Sequence, residues 1–438
     1  MFKTLRNALK IEDIRKKLIF TFLMLVIVRF GSQLPIPGAN RDYFQAWFAQ
    51  QTGDAFNFFD AFTGGSFTSM SLFALGITPY ITSSIIVQLL TIAIPKLEEM
   101  QKDGEDGRKK IQTISRYLTV VLALIESIAM TVGFGSRGLL AANTIPNKIV
   151  VIAAMTAGSA FLMWIGEEIT EHGVGNGISI VLLINIVSRI PDDFVTLFDQ
   201  FMKGQTILNA VVAAVVIIAV VLVTVVFVIF LQDGERRIPV QYAKKMQGRK
   251  MVGGQSTNIP LKVNTAGVIP VIFASSLMSF PNVIASLLGK TGGTGIGSKI
   301  MTGLSQSSWC DPSRPIYSLG LVLYIVLVVF FAYFYTSITF NPIEISNNMK
   351  RQGGFIPGIR PGKPTTEYLS RILNYIVFIG AVGLIIVCVI PIFFNGMFGA
   401  NVSFGGTSII IIVGVVLETL KQIESQMLVR YYKGFLND

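Results

Sequence analysis

Reactive and ionisable side chains are scarce in this chain. Among 438 residues there is one histidine, His172, and there are two cysteines, Cys310 and Cys388. Two cysteines so far apart form neither a thiolate metal pattern nor a disulfide framework. His172 sits in a Glu-Glu-Ile-Thr-Glu-His-Gly turn with no second ligand pattern beside it, which fits a structural or solvated imidazole. No ATP-binding loop is present, because Gly289-Lys290-Thr291 lacks the upstream glycine such a loop needs. A His-Glu-x-x-His helix and a Gly-x-Ser-x-Gly elbow are missing too. The sequence therefore predicts no catalysis, no direct use of ATP, no cofactor and no resident metal.

Charge is also in short supply. Only 14% of residues are charged, where a soluble domain carries roughly 25%. Hydrophobic residues make up 52% and the mean hydropathy is +0.62, more apolar surface than a soluble fold can hide, so the expected solvent is lipid. A helix needs about 20 residues to cross a bilayer. Ten apolar windows approach that length, near 18–36, 74–94, 117–134, 149–166, 177–190, 207–231, 264–288, 317–340, 372–394 and 407–420. The first follows Lys3, Arg6, Lys10, Arg15, Lys16 and Lys17 but is too long for a signal h-region and lacks a small-residue cleavage site, so it reads as a retained span. A further apolar piece, about 56–70, is too short to cross; with Asp60, Gly64 and Gly65 in it, it reads as a re-entrant element.

The net charge of +11 is mostly an orientation signal, because 27 of the 36 Lys and Arg residues fall in segment 1–17, loops 95–116, 232–263 and 341–371, and the stretch from 421. That alternation predicts cytosolic termini, with 1–17 and 429–438 as cytosolic segments, and long basic cytosolic loops. Loops 232–263 and 341–371 mix aromatic, aliphatic and turn residues with their charge. Such loops are usually functional, and a basic structured hairpin suits an anionic partner.

An internal repeat runs through the chain. Gly76-Ile77-Thr78-Pro79-Tyr80-Ile81-Thr82-Ser83-Ser84 in the second window matches Gly267-Val268-Ile269-Pro270-Val271-Ile272-Phe273-Ala274-Ser275 in the seventh at Gly, Pro, Ile and Ser. Gly177-Ile178-Ser179-Ile180 in the fifth likewise matches Gly406-Thr407-Ser408-Ile409 in the tenth. An odd number of spans between repeats predicts two halves, 18–194 and 207–428, of opposite topology. Five residues after each glycine stands a branched aliphatic: Ile81, Leu182, Ile272 and Ile411. Equivalent depth at the midplane is one reading of these four; ordinary lipid contact is the other. Pro79 and Pro270 read as mid-membrane interruptions, either packing kinks or hinges of moving helices.

Several segments resemble the SecY/Sec61-alpha family of protein-conducting channels. They are Asn176–Ile180, Arg236–Ala243, Gln255–Asn264, Phe355–Gly362, Pro35–Gly38, Ala74–Ile77, Leu162–Trp164 and Phe404–Ser408, in order along the whole chain. The resemblance implies an all-α polytopic membrane protein with ten transmembrane helices in two inverted five-helix halves around a central pore. It places a pore ring on Ile77, Ile81, Ile178, Leu182, Ile272 and Ile411, with Leu182 where isoleucine is common. It implies a plug at about 56–70, including Phe58, Phe59, Phe62, Gly64 and Gly65. A lateral gate would carry Thr82, Gln88, Glu126, Asn264 and Ser275. Docking of partners would fall on Arg236, Arg237, Lys244, Lys245, Arg249, Lys250 and Arg360.

The implied partners are the small membrane subunits SecE and SecG, the motor ATPase SecA, the ribosome with its ribosomal RNA, signal sequences, nascent polypeptides and membrane lipid. The implied place is the bacterial cytoplasmic membrane, and no small-molecule substrate is expected. Inverted repeats with interrupted helices also occur in secondary transporters, which need a polar or ionic site at the midplane where this sequence puts aliphatics. An intramembrane enzyme would need a catalytic pair that the apolar windows do not supply.

Overall fold

The computed structural model describes residues 6, 8–10, 11–50, 60, 62–135, 138, 140–202, 207–242, 245–247, 250–252, 256–287, 296–310, 312, 315–398 and 406–434. Phe58, Phe59, Lys244 and Arg249 lie outside the described residues. Each of the ten apolar windows falls in a long helix. In chain order these are α1 (Glu12–Gly31), α2 (Thr78–Ala93), α3 (Glu105–Phe134), α4 (Ile145–His172), α5 (Gly177–Phe201), α6 (Ile207–Asp233), α7 (Ile269–Leu287), α8 (Leu319–Thr339), α9 (Lys363–Phe398) and α10 (Gly406–Gly434). The chain is thus a helical, multi-span membrane protein.

Among the described residues, five helices are long and apolar enough to cross a membrane unaided, or six if α2 and the helix from Pro95, bent by 108° to each other, count as one broken span. Three other long helices carry charge within them: Arg15, Lys16, Lys17 and Arg29 in α1, Arg189, Asp192 and Asp193 in α5, Glu418, Lys421 and Glu424 in α10. Large apolar side chains stay exposed along the outside of α1, α6 and α8, among them Phe22, Phe30, Val223, Phe230, Leu319 and Phe330. In water such a surface would drive association; against lipid it is the wetted face.

The structure revises the reading of Pro79 and Pro270. Neither interrupts a helix. Both stand at the second residue of one, where a missing N–H costs nothing because the first turn has no intrahelical acceptor for it. The two starts are built alike. Gly76 and Gly267 adopt left-handed φ values of 60° and 63°. In the first, Tyr80 N and Ile81 N both donate to Ile77 O at 3.1 Å; in the second, Val271 N and Ile272 N donate to Val268 O at 3.1 and 3.2 Å. Prolines inside helices are found instead at Pro191, Pro281 and Pro391. The start of α5 is set by Asn176, whose side chain accepts from Ser179 N at 3.3 Å.

The helical body carries a small sheet. Loop 232–263 forms the antiparallel pair β1 (Glu235–Tyr242) and β4 (Ser256–Lys262), with the short β2 (Lys245–Gln247) and β3 (Lys250–Val252) between them. Loop 341–371 contributes β5 (Gly354–Phe355), which joins the free edge of β1 with Gln241 opposite Phe355. Ile238 and Val240 alternate inward from β1. They pack with Leu261, Met349, Ile356 and the buried face of α9 at Leu369, Ile372 and Ile376. The two long loops are one structural unit seated on the N-terminal part of α9.

Candidate functional site

All six candidate ring residues meet in one apolar cluster at the centre of the helical body. Ile77, Leu182 and Ile411 are buried there, and Ile81, Ile178 and Ile272 pack against it half-buried. The cluster draws on α2, α5, α7 and α10, the four helices tied together by the repeat, and is backed by Val28 of α1 and by Leu162, Ile165 and Ile169 of α4. The six ring candidates are all branched aliphatics. Stiff branched side chains in such a collar exclude hydrated ions by staying dry.

The described part of the 56–70 piece lies against this cluster. Phe62 is buried within it. Gly64 sits so close to α5 that an added Cβ would lie 2.9 Å from both the Cα and the carbonyl oxygen of Asn185. Gly65 stands over Arg189, where the same addition would meet the guanidinium at 3.4 Å.

The five candidate gate residues do not share one surface. α3 touches α7, so the two lips of the proposed opening meet there. Thr82 and Glu126 are half-buried on α2 and α3. Gln88 lines a cavity of about 350 Å³ between α2 and α3 with Tyr80, Ser84, Gln101, Arg108 and Gln112. Ser275 is buried and donates to Tyr324 OH of α8 at 3.5 Å, so it faces its own neighbour rather than α3. Asn264 is buried beside α9, where a Cβ at Gly380 would lie 3.7 Å from its Cα.

On the sheet Arg236 and Arg237 are exposed on β1, and Arg360 is exposed in the turn that follows β5. Arg237 lies 3.8 Å from Glu235, a loose surface contact that leaves its charge available. The Arg360 carbonyl accepts from Thr365 Oγ1 at 2.8 Å, which ties that turn to the start of α9. Lys245 and Lys250 fall on the β2–β3 hairpin.

Sequence reading missed the polar groups that hold the 56–70 piece. Arg29 looks like a charge that reaches for the membrane surface, yet its Nη1 donates to Gly64 O at 3.3 Å. Arg189 lies 2.9 Å from Asp60, whose side chain is fully buried, and Asn185 donates to Phe62 O at 3.2 Å. A signal was available. Asn185 and Arg189 are one helical turn apart on an otherwise apolar stretch of α5, and such residues inside a membrane segment need a partner.

Known proteins give the same picture. The SecY family model matches residues 71–420. The chain is 43% identical over 447 residues to the protein translocase subunit SecY of Halalkalibacterium halodurans, and 41% identical over 447 residues to that of Bacillus subtilis, with 100% of both chains covered in each case. Among solved structures it is similar to a protein-conducting channel, with a TM-score of 0.63 at 19% identity over 94% of this chain and 93% of that one. It is also similar to Sec61 of the canine ribosome-channel complex from the endoplasmic reticulum, with a TM-score of 0.57 at 18% identity over 94% and 93%. The aliphatic centre, the helix pairs related by a repeat and the full-length identity agree: this chain belongs to the SecY family.

Proposed function

We propose that this chain is the channel subunit of a bacterial Sec translocon, passing unfolded secretory polypeptides across the cytoplasmic membrane and releasing transmembrane segments sideways into lipid. The observation that carries the reading is the convergence of Ile77, Ile81, Ile178, Leu182, Ile272 and Ile411 in one central apolar cluster with Phe62 seated on it. In this reading those six form the pore ring and the 56–70 piece is the plug. The halves 18–194 and 207–428 part laterally along the line where α3 meets α7, which puts Thr82, Gln88 and Glu126 nearest the gate and Ser275 and Asn264 behind it. A transporter would need polar groups where the cluster is aliphatic, and a channel of this kind needs no catalytic residue.

The joined cytosolic sheet supports a docking role for loops 232–263 and 341–371. Arg236, Arg237 and Arg360 offer exposed guanidinium groups on a rigid base, suited to phosphate or carboxylate. The partners are then the ribosome, with ribosomal RNA, and the motor ATPase SecA, while SecE and SecG complete the complex within the membrane. Both termini lie in the cytosol. The test of the channel reading is the resting current of the reconstituted complex in planar bilayers. Replacing Ile81 and Ile272 together by Ser wets the collar and raises the resting current well above wild type. An unchanged current overturns the assignment of the ring.

A further inference from the structure

Three side chains from two helices reach across to the segment that begins at Asp60, and their geometry is that of a catch. We infer that Arg189 and Asn185 of α5 and Arg29 of α1 are positioning residues that latch the plug through Asp60, Phe62 and Gly64. This rests on the channel reading above and adds the groups that control its plug.

The segment fixes its own carboxylate first. Asp60 Oδ1 accepts from Thr68 N at 3.0 Å and from Thr68 Oγ1 at 2.7 Å. Its other oxygen, Oδ2, is turned to Arg189 Nη2 at 2.9 Å without hydrogen-bond alignment, so the link between the segment and α5 is mainly Coulombic. One turn earlier on α5, Asn185 Nδ2 donates to Phe62 O at 3.2 Å, and from α1 Arg29 Nη1 donates to Gly64 O at 3.3 Å. The seat has no slack, since a Cβ at Gly64 would lie 2.9 Å from the Asn185 backbone and 3.0 Å from Arg29 Nη1.

Removing either charge of a contacting pair loses the same attraction, so the Asp60–Arg189 link is expected to be felt equally from both sides.

The latch is tested on the complex as isolated from membranes, in a Cys310→Ser background that leaves only the buried Cys388 as native thiol. Ser66→Cys places a reporter thiol within the plug segment itself, where the native side chain is 1% exposed and its hydroxyl has no hydrogen-bond partner among the described residues. Its reaction with a water-soluble maleimide reads plug release. Arg189→Gln and Asp60→Asn each speed labelling by about tenfold, the middle of the range for contacting charged groups, and the double variant is no faster than either single one. Arg189→Lys, which keeps the charge, stays near the parent rate. Parent rates in both single variants, or a double variant whose acceleration is the product of the two, overturns the latch. If Asp60→Asn does not accumulate in membranes, Arg29→Gln must also speed labelling, and an unchanged rate there overturns it too. Resting current measured beside the Ile81→Ser/Ile272→Ser variant separates this inference from the channel reading. Labelling that follows the cycle while no variant leaks current leaves the latch standing and removes the channel; a leaking ring variant with unaltered labelling does the reverse.

Discussion

Gly76 and Gly267 start matching helices with the same left-handed turn, but their surroundings differ. A Cβ at Gly76 would sit 2.9 Å from Thr63 Cγ2, whereas at Gly267 it would meet nothing within 4 Å. Among the described residues, the first helix start is roofed by Thr63 of the 56–70 piece and its counterpart in the second half has no such roof. Of the two equivalent seats that the repeat supplies, the described residues fill one. The seats are braced alike from behind. Gly158 of α4 packs on the carbonyl oxygen of Leu72, and Gly380 of α9 packs on that of Val263, each four residues before the left-handed glycine. Among the described residues, the two halves share the bracing and differ in the roof that the 56–70 piece supplies.

The widest break in this comparison comes from the braces. At both Gly158 and Gly380 a side chain collides with backbone, which cannot move aside as a flexible side chain can. Gly158→Ala and Gly380→Ala should each destabilise by roughly 1–3 kcal/mol. The expected result is a lower thermal midpoint in detergent and a smaller monodisperse fraction, similar for the two variants. If one position accepts alanine freely, the two halves are not braced alike.

The helix starts give the next largest effect. Forcing an L side chain into the left-handed region costs roughly 1–2 kcal/mol, and that cost applies at both glycines. Gly76→Ala also pushes on Thr63, so it should lower the thermal midpoint further than Gly267→Ala and raise the resting current, which Gly267→Ala should not. Equal currents from the two variants would detach the plug from this seat.

The long basic loops sharpen the contrast in another way. Loop 95–116 of the first half is helical, from Pro95 and again from Glu105, while the second half builds the sheet. A partner surface carried only by the sheet predicts that Arg360→Glu lowers motor-driven export with little change in stability, because the side chain is exposed. Lys96→Glu, in the helical loop, should leave export near wild type. Export rate per channel in inverted vesicles distinguishes the two.

How much of this was legible in the sequence follows from the range of the interactions. The repeat of Gly, Pro, Ile and Ser marks both helix starts because helix initiation is local chemistry, although the same prolines were misread as interruptions. The six central aliphatics could be identified from the repeat and the family resemblance together, since each stands at a fixed offset from a local signal. The union of the two cytosolic loops was hidden, because β5 has only two residues and its pairing to β1 joins distant parts of the chain. Asp60 and Arg189 were hidden for the same reason: each reads as an isolated charge until the fold brings them to 2.9 Å. The partner of Ser275 was hidden because a polar residue on a repeated helix can face either neighbour, and here it turns to Tyr324.

The smallest effect concerns how each lip of the gate is held together. In the first half Ser83 of α2 donates to Ser115 O of α3 at 2.6 Å, fully buried. In the second, Ser275 of α7 reaches Tyr324 OH of α8 only at 3.5 Å, at the limit of a hydrogen bond. Each bond joins two helices of the same lip, so neither should hold the lips to each other. Ser83→Ala leaves the Ser115 carbonyl without that donor and should cost about 1 kcal/mol, while Ser275→Ala removes a bond already long and should cost less than about 0.5 kcal/mol. Thermal unfolding in detergent reads both. Export of a model secretory protein should be unchanged in the two variants, because each lip moves as a unit. An export defect from Ser275→Ala larger than that from Ser83→Ala would show that Ser275 acts across the gate after all and that the two lips are not built on the same plan.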